Sequence, residues 1–237
     1  MTVLRIRNVL PATIFMLYSL CIFCAGAFAA DVVIRIDSSA EPCISHGAEK
    51  LGEALESKKL SVQIGSRSIT GDEFTVFLGT PESDWTGDIE NALPSVSEKA
   101  ESYSLAVLKD KNIIIATGSD AVGAMYSAYE LAEQVRDIAD GKDIPAGLEN
   151  TTGEPFLEIR AVNPFLHVDA LTDPGSWYFK DEFWETYLDL LSESRYNLID
   201  FHAMYDVNTT WFPNAFIFLV KSEKYPDVGL PAEESER

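Results

Sequence analysis

Cysteine is scarce in this chain: three in 237 residues, two of which, Cys21 and Cys24, lie within the first 30. Beyond them only Cys43 remains, so the rest of the chain can form neither an internal disulfide nor a cysteine-based zinc site. Positive charge is also scarce. Eighteen Lys and Arg face 38 Asp and Glu, for a formal charge of −20. A surface of that sign repels nucleic acid and anionic membranes, and neither is expected as a partner. Histidine occurs three times, at 46, 167 and 202. Internal repeats and low-complexity segments are absent. Long apolar runs are absent too, with one exception at the start.

That exception spans Ile14 to Ala30, which contains no Asp, Glu, Lys or Arg. Arg5 and Arg7 precede it, and Ala27-Phe28-Ala29-Ala30 closes it with a small-x-small pattern. This is the layout of a secretory signal, with cleavage expected after Ala29 or Ala30. The run is a little short of the roughly 20 residues that a membrane span needs. Residues 1–30 are therefore expected to be removed, leaving a secreted or periplasmic protein without a membrane anchor.

Residues 31–153 are expected to form a small α/β domain. Val32–Ile36, Leu60–Ile64, Phe74–Leu78, Tyr103–Leu108 and Ile113–Ala116 are short runs with strand composition. The last two flank Lys109-Asp110-Lys111-Asn112 and predict a hairpin. Ala48–Leu55 has helical spacing. A second helix follows Ser119, its expected cap, with Asp120 in its first turn. Val122, Met125, Tyr126 and Tyr129 mark the buried stripe of that helix, and Ala121, Ala124, Ala128 and Ala132 allow close approach to a sheet. Interleaved strands and helices predict a layered α/β sandwich. Residues 137–155 are dense in turn formers and predict a linker.

Residues 154–237 have another rhythm. Phe156–Val162 is expected as a strand. A long loop from Asn163 to Lys180 follows. Asp181 is then expected to cap a helix with Trp184, Tyr187, Leu188 and Leu191 on its apolar stripe, and Leu198–His202 is the next strand. A strand, a helix of ordinary length and a strand predict a parallel βαβ unit.

Two phrases in these blocks resemble a known family. Gly118–Glu133 is similar to the last helix of the small domain that precedes the barrel in glycoside hydrolase family 20, the β-hexosaminidases. The same accessory domain occurs in α-glucuronidases. Ile159-Arg160-Ala-Val-Asn-Pro-Phe165, the helix from Asp181, and Arg195-Tyr-Asn-Leu-Ile-Asp-Phe201 resemble the opening of their barrel. The resemblance implies a (β/α)8 barrel of which residues 154–237 are the incomplete first part, since a barrel takes roughly 200 residues or more. It implies a hydrolase acting on glycosidic bonds, with an Asp-Glu pair on the fourth barrel strand. That pair has no place in two strands, so the chain alone is expected to be inactive. The resemblance also implies that Arg160 contacts substrate hydroxyls, although Ile-Arg-Ala departs from the family's usual Arg-Gly.

In such a barrel the loops after the strands carry function. The first holds Asn163, His167, Asp169, Trp177 and Tyr178. The second holds His202, Tyr205, Asp206 and Trp211. Sugars need polar groups for their hydroxyls and aromatic plates for their apolar faces, and both loops offer the mixture. With Arg160, the candidate carbohydrate contacts are Asn163, His167, Asp169, Trp177, His202, Tyr205, Asp206 and Trp211. No residue here is expected to be catalytic. The two His-Asp pairs match no metal spacing, so neither metal nor cofactor is expected. Two other classes stay open: a non-catalytic carbohydrate-binding protein and a non-functional fragment.

Overall fold

The computed structural model describes residues 31–66, 74–89, 92–164 and 175–200, which fall into two compact units dividing between Gly153 and Glu154. The expected signal, residues 1–30, lies outside the described residues. Among the described residues, no helix is long and apolar enough to cross a membrane.

The first unit is a mixed α/β layer built on one six-stranded sheet. Its strands are β1 (Val32–Arg35), β2 (Val62–Gly65), β3 (Phe74–Gly79), β4 (Tyr103–Leu108), β5 (Ile113–Gly118) and β6 (Thr151–Gly153). They lie in the order β2-β1-β3-β5-β4-β6. The β2, β1, β3 and β5 neighbours pair in parallel, while β4 runs antiparallel to both β5 and β6. The expected hairpin forms with Leu108 opposite Ile113. Its turn closes through Asn112, whose φ of 53° suits an Asn better than a branched residue.

Strand alternation divides the side chains between two faces. Val32, Ile34, Val76, Leu78, Leu105, Ile114 and Ala116 share one core with helix α1 (Pro42–Ser57) and helix α2 (Ala121–Asp137). Both helices therefore cover the same face. Pro42 sits in the first turn of α1, where its missing N–H costs no hydrogen bond. Gly47 lets α1 approach α2 closely: a Cβ there would lie 3.1 Å from the Met125 backbone and 3.2 Å from Ala128 Cβ. Ala121, Ala124, Ala128 and Ala132 are buried in this core together with Leu131 and Val135. Met125, Tyr126 and Tyr129 instead gather with Tyr103 in a separate cluster flanked by Cys43. The aromatic residues thus form a cluster of their own, and the alanines join the core shared by the sheet and both helices. On the sheet's other face Phe77 and Ile115 pack against Trp85 and Ile89 from the chain after β3.

Two local expectations are corrected. Asp120, not Ser119, caps α2: its Oδ1 accepts from Gly123 N at 2.7 Å, and its Oδ2 accepts from Glu101 N at 2.9 Å. Ser119 instead accepts from Ser102 N and donates to the Lys99 carbonyl. Residues 137–155 also form more than a linker. They hold the short helix α3 (Ile144–Gly147), the fully buried Leu148 and β6 at the sheet edge. Asn150 Oδ1 accepts from Val107 N at 2.7 Å, continuing the β4–β6 contact past its last paired residue.

The second unit holds β7 (Ala161–Val162), a 3-10 turn (Trp177–Phe179), helix α4 (Asp181–Glu193) and β8 (Leu198–Ile199). β7 and β8 pair in parallel, Ala161 with Leu198 and Val162 with Ile199. Lys180, not the expected Asp181, holds the cap position of the helix, and Asp181 and Glu182 lie in its first turn, where carboxylates favour the helix dipole. The expected strand from Phe156 shortens to Ala161–Val162, and Phe156 is 94 % exposed.

Candidate functional site

The parallel pair has two ends, and the candidate residues divide between them. Arg160 precedes β7 and stands at the amino end. Its Nε donates to the Arg195 carbonyl at 2.6 Å, and a terminal nitrogen donates to the Leu157 carbonyl at 2.8 Å. Arg195 has a φ of 61°, in the left-handed region that ends a helix and turns the chain toward the next strand. Asn197 completes this end. It accepts from Arg160 N at 2.9 Å through Oδ1, donates to the Glu158 carbonyl at 2.8 Å through Nδ2, and donates its own N–H to the Arg160 carbonyl. The Arg-Tyr-Asn phrase therefore works as a backbone clasp. Asn197 supplies from a side chain the rungs that a longer strand would supply from its main chain. The guanidinium of Arg160 has the same anchoring work, at the end opposite the strand-terminal loops.

Asn163 and Asp200 occupy the carboxyl end. Each follows the last residue of its strand, and because Val162 is paired with Ile199 the two stand side by side. Asp200 N–H donates to the Val162 carbonyl at 2.8 Å. Asn163 Nδ2 donates to Asp200 Oδ2 at 2.7 Å. Both side chains are exposed. Asn163 was expected here. Asp200 was not, because it reads as an interior position of Leu198–His202. The available signal was a carboxylate in an otherwise apolar strand.

Trp177 opens the turn before α4 and is 38 % exposed. Its ring centroid lies 4.5 Å from Phe183 and 6.1 Å from Trp184. Trp184 Nε1 donates to the Tyr178 carbonyl at 2.7 Å, which fixes the turn against the helix. Burial pushes the Tyr178 hydroxyl up from its ordinary value near 10. Trp177 is thus partly packed, with the rest of its surface open. His167, Asp169, His202, Tyr205, Asp206 and Trp211 lie outside the described residues. Among the described residues, no group of three or more His, Cys, Asp or Glu is placed to hold a metal.

Solved structures are similar to this chain in fold. A GH138 enzyme targeting pectin rhamnogalacturonan II matches with a TM-score of 0.57 and 19 % identity, over 86 % of this chain and 22 % of its own. A family GH115 4-O-methyl-α-glucuronidase with specificity for decorated arabinogalactans matches at 0.54 and 19 %, over 73 % of this chain and 25 % of its own. A family GH84 protein matches at 0.52 and 15 %, over 74 % and 28 %. The fold is glycoside-hydrolase-like. At these identities the likeness carries the fold and not family 20 in particular. The chain spans about a quarter of the length of these structures. No protein-family model matches the chain, and no curated protein matches its sequence.

Proposed function

We propose that the chain is a segment of an exported glycoside hydrolase, with residues 31–153 as an accessory domain and residues 154–237 as the opening of a (β/α)8 barrel. The observation that carries this reading is the Asn163–Asp200 pair at the carboxyl end of two parallel strands, in a chain whose fold is glycoside-hydrolase-like. Barrels of this kind place substrate groups at that end. The substrate is a carbohydrate, and the neighbours' targets make rhamnogalacturonan II and decorated arabinogalactan the first probes.

Glycosidic hydrolysis by the common mechanisms takes two placed carboxyl groups. Among the described residues, Asp200 is the one carboxylate at the carboxyl end of the strand pair. The resemblance to family 20 puts the catalytic carboxyl pair on a fourth barrel strand, beyond the two strands expected here, and on that reading this chain contributes part of the substrate wall and does not turn over sugar alone. Incubating the purified chain with aryl N-acetylglucosaminides, aryl uronides and both polysaccharides tests the point. The expected result is no release of product above the buffer control, and robust turnover refutes the reading.

A second reading, a fragment with no function of its own, draws support from the apolar surface of the second unit. Phe156, Leu157, Ile159, Leu190 and Leu198 are all half or more exposed, or close to it. Saturable glycan binding by the chain counts against this second reading.

A further inference from the structure

Asn163 and Asp200 do more than mark an end of the strand pair. An aspartate carboxylate accepts hydrogen bonds and donates none. Asn163 therefore faces Asp200 with its Nδ2, as the 2.7 Å bond shows. Its Oδ1 is left as an acceptor that this bond does not use, and so is the second oxygen of Asp200. Neither side chain makes another hydrogen bond among the described residues, and both are exposed.

We propose that this pair is a two-acceptor clamp for a vicinal diol of a neutral sugar ring. The proposal rests on the carbohydrate reading above and names the chemistry recognised at that site. Two acceptors flanking one hydrogen bond call for two donors on one rigid frame. Adjacent hydroxyls of a pyranose or furanose supply them, each O–H donating to one oxygen. A ligand carboxylate brings only acceptors, and its charge opposes that of Asp200. The clamp therefore selects hydroxyls over a uronate group at this position. The β7–β8 register holds the two residues level, so the clamp requires no induced movement of the backbone. Asp200 binds one hydroxyl directly and also orients the Asn163 amide.

The test uses the full chain and rhamnogalacturonan II oligosaccharides, with binding followed by calorimetry. Three forms of the probe are compared: untreated, treated with periodate and borohydride to cleave vicinal diols, and carboxyl-reduced to convert uronates to alcohols. The untreated probe is expected to bind saturably. Periodate treatment is expected to weaken binding by about tenfold or more, the loss of one to two hydrogen bonds to charged or amide acceptors. Carboxyl reduction is expected to leave binding unchanged or tighter.

Asp200→Asn keeps a partner for Asn163 but turns the free acceptor into a group that can donate. It should weaken the untreated probe by about tenfold and the periodate-treated probe hardly at all. A purely structural role for Asp200 would make the variant's loss the same for both probes, and that result overturns the proposal. Undiminished binding after periodate treatment, or binding lost on carboxyl reduction, also overturns it while leaving the carbohydrate reading standing. Failure of every form to bind overturns both.

Discussion

At the scale of single residues, the closest fits in the first unit are at two glycines. A Cβ on Gly118 would lie 1.9 Å from Ala124 N, and one on Gly123 would lie 2.2 Å from the Ser102 carbonyl oxygen. Both obstacles are backbone and cannot swing aside. Gly118→Ala and Gly123→Ala are each expected to destabilise by about 3 kcal/mol or more, read as a lower urea midpoint. The opposite outcome is expected at Thr117, whose buried Oγ1 has no hydrogen-bond partner. Thr117→Val removes an unsatisfied hydroxyl at nearly constant shape, so its midpoint should stay level or rise. Titration gives a further check. Hydrogen bonds from the Ser61 backbone and hydroxyl hold Asp31 below the usual carboxylate range, and those from Ser39 and Asp84 do the same for Asp37. Lowered values mean that their contribution is complete above the unfolded pKa near 3.9 and fades as pH falls through the folded one. Asp31 is exposed and Asp37 is only partly covered, so the effect is small. It is best seen by NMR titration, where Ser61→Ala should return the Asp31 midpoint toward 3.9. Cys43 moves the other way. Burial first, and Glu41 next, push its thiol up, so iodoacetamide at about pH 8 should label it more slowly in the native chain than in urea. The site residues were legible to different degrees. Asn163 stands out as the polar residue that follows the strand-like stretch Phe156–Val162. Asp200 became meaningful only once the register placed it beside Asn163.

Whole elements were legible where their pattern is local. The β4–β5 hairpin and α2 follow from alternation, a polar turn and 3.6-residue spacing, all within 35 residues of chain. β6 was not legible, because three residues, Thr-Thr-Gly, carry no pattern. What makes them a strand is β4, almost 50 residues earlier in the chain. The stretch before β7 failed in the other direction. Its composition suits a strand, yet the Asn197 side chain already satisfies the backbone of Glu158 and Arg160, the Arg160 guanidinium satisfies the Leu157 carbonyl, and no ladder forms. Asn197→Ala should therefore loosen the amino end of the pair. A loss of about 1–3 kcal/mol of local stability is expected, seen as faster hydrogen exchange at Arg160 and Ala161 with exchange in β1–β5 unchanged. Faster exchange in both places alike would show that the clasp is not confined to its own unit.

For the molecule as a whole, the two units differ in how their apolar residues are disposed. The first hides Trp85, Phe77, Leu51, Leu55, Leu105 and Leu131 almost completely. In the second, Leu191 is the one large apolar residue that is buried among those described, while Leu188, Leu190 and Leu198 face outward. Burial of one such side chain contributes about 1.5–3 kcal/mol, so the first unit carries most of the stabilisation. Brief trypsin treatment should leave a resistant core ending near Gly153, identified by mass, and cleave after residue 154 first. A core extending through α4 would mean that the second unit is as firmly held as the first. One further consequence follows from the way α2 begins. A glycine-flanked turn between a parallel strand and a helix is elsewhere a seat for nucleotide phosphates, which lie on the free amides of the helix's first turn. Here the Asp120 carboxylate already takes the Gly123 amide, and the chain at Ser102 lies against the glycine that an incoming phosphate would need to approach. The Thr-Gly-Ser-Asp-Ala-Val-Gly turn, for all its outward likeness to a phosphate-binding loop, is a socket the protein has filled with itself.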